Sequence, residues 1–231
     1  MPPKTILITG ASRGLGLALA QHWAPDHRVI NLSRTPAPAS AGEIRSYACD
    51  LADETATLAA LRQITQDHPK IDLLINNAAI LATVPLCVMK TQDIGRLIDI
   101  NLKAPILISK AVIRKMMQAR SGQIINILSM APKLAIVGDS VYAATKAGLE
   151  SFSRVLNKEG HPFGVHVNNI GLSAYPSGML DHVIGQNPAK VLNLIPHKRF
   201  APLPEIIAGI EFFASNPVDI GGQTLHFGGI A

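Results

Sequence analysis

Hydrophobic positions along the chain fall into two alternating patterns. Strand-like runs occupy residues 4–9, 28–33, 44–48, 71–76, 122–128, 164–170 and 223–227, and several of them are nearly continuous apolar stretches. Runs of this kind, such as Ile71-Asp72-Leu73-Leu74-Ile75-Asn76, predict strands buried on both faces. Between them, stretches with helical character cover 14–24, 53–67, 91–118, 139–159 and 203–215. Alternation of strand and helix predicts an α/β architecture, a doubly wound parallel sheet of about seven strands with helices on both faces. Ligands bind such sheets beyond the carboxyl ends of the strands. Gly10, Asn76, Ser129 and Ile170 all fall at or just after a predicted strand end.

Composition narrows the class. With 231 residues, 48% hydrophobic and 16% charged, the chain has ample apolar material for one large core, so a single domain over 1–231 is expected. Residues 35–42, Thr-Pro-Ala-Pro-Ala-Ser-Ala-Gly, read as a loop; no repeat or interdomain linker interrupts the rest. No apolar run reaches membrane-spanning length, and Met1-Pro2-Pro3-Lys4 enters a strand without a signal-peptide pattern. Cys49 and Cys87 give neither a disulfide framework nor a metal spacing, so reduced thiols in the cytoplasm are expected. Asn31-Leu32-Ser33 matches a glycosylation sequon that such a location leaves unused. Among eight histidines, His161 and His166 are the nearest pair that could meet; no H-E-x-x-H motif exists, and no metal is expected in the chemistry.

The net charge of +5 points to anionic partners. The basic residues are dispersed, however, with the densest group at Lys110, Arg114, Lys115 and Arg120. An aromatic content of 4% argues against a base-stacking nucleic-acid surface. An anionic cofactor or an acidic carrier accounts for the charge more economically.

Two constellations carry the candidate chemistry. The strand run Lys4–Thr9 leads into Gly10-Ala11-Ser12-Arg13-Gly14-Leu15-Gly16 and then a strong helix former. Strand, glycine-rich turn and helix form the context in which a dinucleotide pyrophosphate sits at a helix N-terminus. Here Gly10 permits the turn, Gly14 lets backbone approach phosphate, and Gly16 lets helix pack on strand. The spacing is G-x-x-x-G-x-G rather than G-x-G-x-x-G, and no lysine-bearing triphosphate loop exists. The second constellation is Tyr142 and Lys146. Four residues apart on a helix, they share a face. A positive charge beside a phenol favours the phenolate and lowers its pKa from about 10, which suits proton exchange with an alcohol or carbonyl oxygen.

Together these residues resemble the short-chain dehydrogenase/reductase family, and within it the 3-oxoacyl-carrier-protein reductases. Thr9-Gly10-Ala11-Ser12-Arg13-Gly14-Leu15-Gly16 matches the family's T-G-x-x-x-G-x-G. Asp50-Leu51 matches the pair that contacts adenine, and Asn76-Asn77-Ala78-Ala79 resembles N-N-A-G. Asn101 falls at the tetrad asparagine, and Ser129 stands thirteen residues before Tyr142, where the family's serine stands. The tail Gly222–Gly229 resembles G-Q-x-x-x-x-G-G. Three departures stand out: Ala79 for the last glycine of N-N-A-G, Phe227 for a usual aspartate, and Leu172-Ser173 where the family commonly has Pro-Gly.

The resemblance implies a single-domain Rossmann fold and a nicotinamide cofactor held by Gly10, Ser12, Arg13, Gly14, Leu15, Gly16, Arg34, Asp50, Leu51, Asn77, Ala78, Tyr142 and Lys146. The second strand run ends in Arg34 with no acidic residue, and Arg13 lies in the glycine loop. Two guanidiniums suit a 2′-phosphate, so NADP(H) is expected over NAD(H). By the same resemblance, Tyr142 gives a proton to the alkoxide formed by hydride delivery, and Ser129 stabilises that oxygen. Lys146 binds ribose and tunes Tyr142, while Asn101 holds a water linking Lys146 to solvent. The segment 172–200, including Tyr175, Met179 and Val183, is expected to cover a small to medium lipophilic carbonyl/alcohol substrate. Arg120, placed before a strand as in carrier-dependent relatives, favours a carrier-bound 3-oxoacyl thioester about as much as a general ketone or aldehyde. A homotetramer or homodimer through the two long helices is also implied. The alternative is a dinucleotide-sensing or scaffold protein that kept the fold without turnover. A serine hydrolase lacks its G-x-S-x-G elbow at Ser129.

Overall fold

The computed structural model describes residues 2–175, 189, 192–215 and 219–229. Seven parallel strands form one sheet in the order β3-β2-β1-β4-β5-β6-β7. They are β1 (Thr5–Thr9), β2 (Arg28–Ser33), β3 (Ile44–Ala48), β4 (Leu73–Asn76), β5 (Gly122–Ser129), β6 (Val165–Leu172) and β7 (Thr224–His226). The helices are α1 (Gly14–Trp23), α2 (Glu54–Asp67), α3 (Thr91–Ile98), α4 (Ala104–Ala119), α5 (Ala131–Leu134), α6 (Ser140–Gly160) and α7 (Leu203–Ser215). The chain leaves β1 toward β2 on one side and returns to β4 on the other, which makes the β1/β4 boundary the switch point where a ligand crevice opens.

Strand side chains alternate between two cores. Ile6 and Ile8 join Leu15, Leu19, Trp23, Ile206 and Phe213 on the α1/α7 face, whereas Leu7 joins Ile30, Leu74, Ile108, Val112 and Leu156 on the α2/α4/α6 face. Burial on both faces is why these strands read as unbroken apolar runs.

Four boundaries differ from the sequence expectation, each for a local reason. The run 91–118 is not one helix. Pro105 has no N–H to return to the carbonyl of Asn101 four residues earlier, and the chain widens into a π turn at Asp99–Lys103 between α3 and α4. β4 starts at Leu73, just after Asp72, whose carboxylate accepts the Thr5 N–H at 2.9 Å and ties the strand entry to β1. Conversely β6 runs past Ile170, since Gly171 and Leu172 keep pairing with Leu128 and Ser129. A leucine at 172 retains the N–H that a proline lacks, so the ladder continues. The short helix α5, opened by Pro132, had no periodic signal in four residues.

A polar rung crosses the sheet just below the strand ends. Asn76, Asn126, Asn169 and Thr224 are in register on β4 to β7. Asn76 Nδ2 donates to Asn126 Oδ1 at 2.7 Å, and Asn126 Nδ2 donates to Ser153 Oγ of α6 at 2.8 Å. Asn76 Nδ2 also reaches Ser109 Oγ of α4 at 3.2 Å. Buried amides joined this way fix strand register and helix position together, because each lost partner leaves a desolvated polar group.

Candidate active site

A cleft of about 620 Å³ lies over the carboxyl ends of β1, β2 and β4. Gly10, Ser12, Arg13, Gly14, Leu15, Arg34, Asp50, Leu51, Asn77 and Ala78 line it, with Ala79, Ile80, Ile100 and Tyr175. Gly10 adopts φ +71°, and Gly14 adopts φ +57° with nothing within 4 Å of where a Cβ would stand. Backbone is therefore bare to the cleft at the start of α1. No side chain caps that helix, so its first N–H groups remain available for an anion. Gly16 does not line the cleft. A Cβ there would meet the Gly10 carbonyl oxygen at 2.3 Å, so this glycine lets α1 close on the loop.

The loops are tied to one another. Thr9 Oγ1 accepts from the N–H groups of Asn77 at 3.0 Å and Ala78 at 2.9 Å. Asn77 Nδ2 donates to the Thr9 carbonyl at 2.9 Å, and Asn31 Oδ1 accepts from Ala11 N–H at 3.0 Å. Arg13 and Arg34 are exposed at the cleft rim and, among the described residues, form no ion pair. Asp50 differs: Arg96 reaches its Oδ2 at 3.0 Å, and Ala52 N–H reaches its Oδ1 at 3.1 Å. Burial raises the Asp50 carboxyl, but these two donors outweigh it and hold the group below its usual range.

A second cavity of about 210 Å³ adjoins the first, sharing Asn77, Ala79 and Tyr175. Ser129, Tyr142 and Lys146 all line it, brought together by the end of β5 and the first turns of α6. Its other walls are largely apolar: Leu81, Leu134, Ile136, Leu172, Leu194 and Ile195. Ser129 Oγ accepts the Ala131 N–H at 3.1 Å, which fixes the hydroxyl at the α5 turn. Met179 and Val183 lie outside the described residues.

Lys146 is buried, and its Nζ donates to the Ile127 carbonyl at 2.8 Å while lying 5.9 Å from the Tyr142 ring centre. Burial brings its ammonium down to about 8. The expected lowering of the Tyr142 phenol by this lysine does not hold in this geometry. Burial pushes the phenol up to about 12; the Ser129 hydroxyl draws it partly back, and Asp139 and Tyr175 push it further up. Desolvation of the phenolate wins over a charge directed at a carbonyl.

Asn101 lines neither cavity. It is fully buried in the π turn, where Oδ1 accepts from Ile80 N–H at 2.9 Å and Nδ2 donates to Ile80 O at 2.8 Å. This double clasp holds the loop after β4 that separates the two cavities. Arg120 is distant as well. It precedes β5 at the amino end of the strands, opposite the cavity, and its guanidinium donates to Pro162 O at 3.2 Å, so within one chain it does not border the cavity.

Sequence reasoning passed over Asp139. It is 4% exposed, lines the second cavity, and accepts from Thr83 Oγ1 at 2.7 Å. Burial raises its carboxyl, with Thr83 drawing it partly back. Its position three residues before Tyr142 was a usable signal, since i and i+3 share a helix face.

A family model described as short chain dehydrogenase matches residues 4–187. The 3-oxoacyl-[acyl-carrier-protein] reductase FabG of Rickettsia conorii is 33% identical, with 98% of this chain and 95% of that protein covered. The enzyme of the same name from Escherichia coli K12 is 32% identical, covering 98% and 96%. Among solved structures, an NAD+-bound xylitol dehydrogenase superposes with a TM-score of 0.88 at 26% identity, covering 98% of both chains. A gluconate 5-dehydrogenase from Burkholderia cenocepacia J2315, in complex with NADP and tartrate, also gives 0.88 at 25% identity, covering 99% and 95%. Among the described residues no helix is long and apolar enough to cross a membrane.

Proposed function

The chain belongs to the short-chain dehydrogenase family and is an oxidoreductase, and from that premise we propose that it reduces a ketone, aldehyde or 3-oxoacyl thioester to the alcohol with NADPH. One observation carries the reading: Ser129, Tyr142 and Lys146 converge on a cavity that opens into a dinucleotide-sized cleft. The uncapped start of α1, with bare backbone at Gly14, fits a pyrophosphate, and two exposed guanidiniums fit a 2′-phosphate. NADPH, when bound, supplies the hydride.

The chain's own residues do the rest. Tyr142 O–H protonates the carbonyl oxygen as charge develops there, and Ser129 O–H donates to the same oxygen. A phenol held at about 12 keeps its proton at neutral pH, so Tyr142 enters the reaction in its acid form. Lys146, which donates to the Ile127 carbonyl and lies beside the Tyr142 ring, would hold the ribose hydroxyls of a bound cofactor and keep a positive charge next to the phenol. The side chain of Asn101 is committed to Ile80, so its backbone carbonyl, which Pro105 cannot serve, is the acceptor for the water leading to Lys146. Of segment 172–200, Leu172, Ser173, Ala174, Tyr175, Leu194 and Ile195 wall the substrate cavity. The FabG relatives, together with the apolar walls, favour an acyl thioester among the candidate substrates. Loss of reduced-nicotinamide absorbance against a panel of ketones, aldehydes and 3-oxoacyl thioesters tests this. Binding without turnover on any carbonyl would instead leave a dinucleotide-sensing protein.

Three further outcomes are expected. Arg34→Asp should weaken NADPH by roughly 100-fold, the worth of one or two charge-assisted bonds, and leave NADH nearly unchanged. Equal KM values of the native protein for the two cofactors would contradict the role given to Arg34. Asp139→Asn should raise kcat/KM for anionic 2-oxo acids about tenfold over neutral ketones, because a like charge in a poorly solvated cavity is removed. An unchanged ratio would show that Asp139 does not face substrate. Finally, α6 exposes Ala144, Ala147, Ser151 and Val155 along one stripe, a surface suited to a two-fold helix contact. Light scattering should give two or four times the 24.6 kDa chain mass, and a monomer at micromolar concentration would rule the contact out.

A further inference from the structure

At the amino end of the strands, opposite the active site, three potential metal ligands converge. His161 follows α6 directly, His166 is the second residue of β6, and Asp219 precedes β7. Nε2 of His166 lies 2.6 Å from Asp219 Oδ1, and Nε2 of His161 lies 3.2 Å from the same oxygen. The ligand atoms of all three residues lie within 4.8 Å of one another. The two imidazoles stand edge to face, with planes at 84°, so their nitrogens are not stacked against each other.

We propose that His161, His166 and Asp219 form a binding site for one zinc-class divalent cation. Bonds of about 2.0–2.1 Å at a tetrahedral centre place neighbouring ligand atoms roughly 3.3 Å apart. The His161 separation of 3.2 Å already matches this spacing. The His166 separation must open from 2.6 Å, and the Asp219 side chain, 71% exposed, is free to swing. Two neutral imidazoles and one carboxylate are a ligand set that zinc and its neighbours prefer over magnesium or calcium. The exposed side of His161 and Asp219 leaves the fourth position to water.

The surroundings of His166 add a second observation. Gln123 Nε2 stands 3.4 Å from His166 Nδ1, while Gln123 Oε1 is buried without a hydrogen-bond partner. A half-turn of this amide, which leaves its shape unchanged, brings Oε1 to His166 Nδ1–H and satisfies the orphaned oxygen. The neutral ring then carries its lone pair on Nε2, the atom facing Asp219. At 2.6 Å that pair is held by a proton on Nε2, and a divalent cation would take the proton's place as the carboxylate swings out to metal-ligand spacing. An outer partner that sets the tautomer of a ligating histidine is a regular part of metal sites.

The scaffold is also prepared. Arg120 Nη2 braces the turn through Pro162 O at 3.2 Å, and Gly164 turns it at φ +72°. Asn168 Nδ2 holds Ile220 O at 2.9 Å, next to Asp219. The cation would clamp the start of β6 to the chain entering β7. From His166 to Leu172, at the substrate cavity, is about 20 Å of strand, so the site is separate from the chemistry. No sequence motif announced it, because Asp219 is 53 residues from His166 and reaches it only through the β6–β7 region.

Titration of the untagged full-length protein with zinc chloride by calorimetry tests the site. One zinc per chain with micromolar Kd is expected, and Tm should rise by roughly 5–10 °C at zinc a hundredfold above Kd. Cobalt(II) in place of zinc should give the visible absorption of a four-coordinate nitrogen and oxygen site. His161→Ala and Asp219→Asn, both at exposed positions, should fold with native circular dichroism, keep carbonyl reduction, and lose at least tenfold in zinc affinity. Absence of stoichiometric binding, or equal affinity in both variants, would overturn the proposal.

Discussion

Tyr142→Phe should cut carbonyl reduction by roughly 10²–10⁴-fold while NADPH still binds with near-native affinity. The Tyr142 phenol pairs a retained proton with a hydroxyl beside it, since burial holds it at about 12 and Ser129 contacts it. Phenylalanine keeps the ring in its packing against Leu97 and Ala131 and removes a single oxygen. The loss of one hydrogen bond costs only about 1 kcal/mol of stability, so the fold survives and the rate effect is read cleanly. Steady-state kcat and a fluorescence titration of NADPH separate the two quantities. A near-native rate in the variant would remove Tyr142 from its role as acid.

Lys146→Met is the companion case, and it couples function to stability. Turnover should fall at least a hundredfold, because the buried charge that serves ribose and phenol is gone. The stability effect depends on pH with a defined sign. The folded Lys146 sits at about 8 against 10.5 when unfolded. Between those values the unfolded chain binds the extra proton, so native stability rises with pH across that window. Below about 8 the burden of burying the ammonium is fully present; above 10.5 it is gone. Relative to the methionine variant, the native protein should therefore gain up to about 3 kcal/mol on going from pH 8 to 10.5. Tyr142, raised to about 12, acts in the opposite sense only above about pH 10 and is common to both proteins. Denaturant melts of the pair across this range measure the difference. A flat difference would mean that Lys146 is hydrated in the native state.

Much of the fold was legible because its central strands are buried on both faces. The seven strand-like runs became the seven strands, the two edge strands β3 and β7 being only partly buried, and the glycine loop fell at the turn from β1 to α1. The residues placed at the cleft by motif lie there, apart from Gly16, Tyr142 and Lys146, the last two lining the adjoining cavity. What stayed hidden depends on three-dimensional neighbours. The break in the long helix follows from Pro105 facing Asn101, a pairing that periodicity does not register. The sign of the Tyr142 shift followed from desolvation, whereas spacing alone brought a lysine near and suggested the reverse. Asp139 was passed over because its burial depends on the distant loop whose Thr83 Oγ1 donates to it. Arg120 was read by its place before a strand, yet that end of β5 faces away from the cavity.

The central claim is that Ser129, Tyr142 and Lys146 complete a hydride transfer to a carbonyl carbon. The most direct measurement is a reaction with NADPH deuterated at the transferring position, using a carbonyl substrate found in the absorbance screen, with the product analysed by mass spectrometry. One deuterium on the carbinol carbon, appearing at the rate of cofactor oxidation and falling with Tyr142→Phe, is the predicted result. Oxidation of the cofactor with no label in an alcohol product, or label transfer undiminished in the variant, would contradict it.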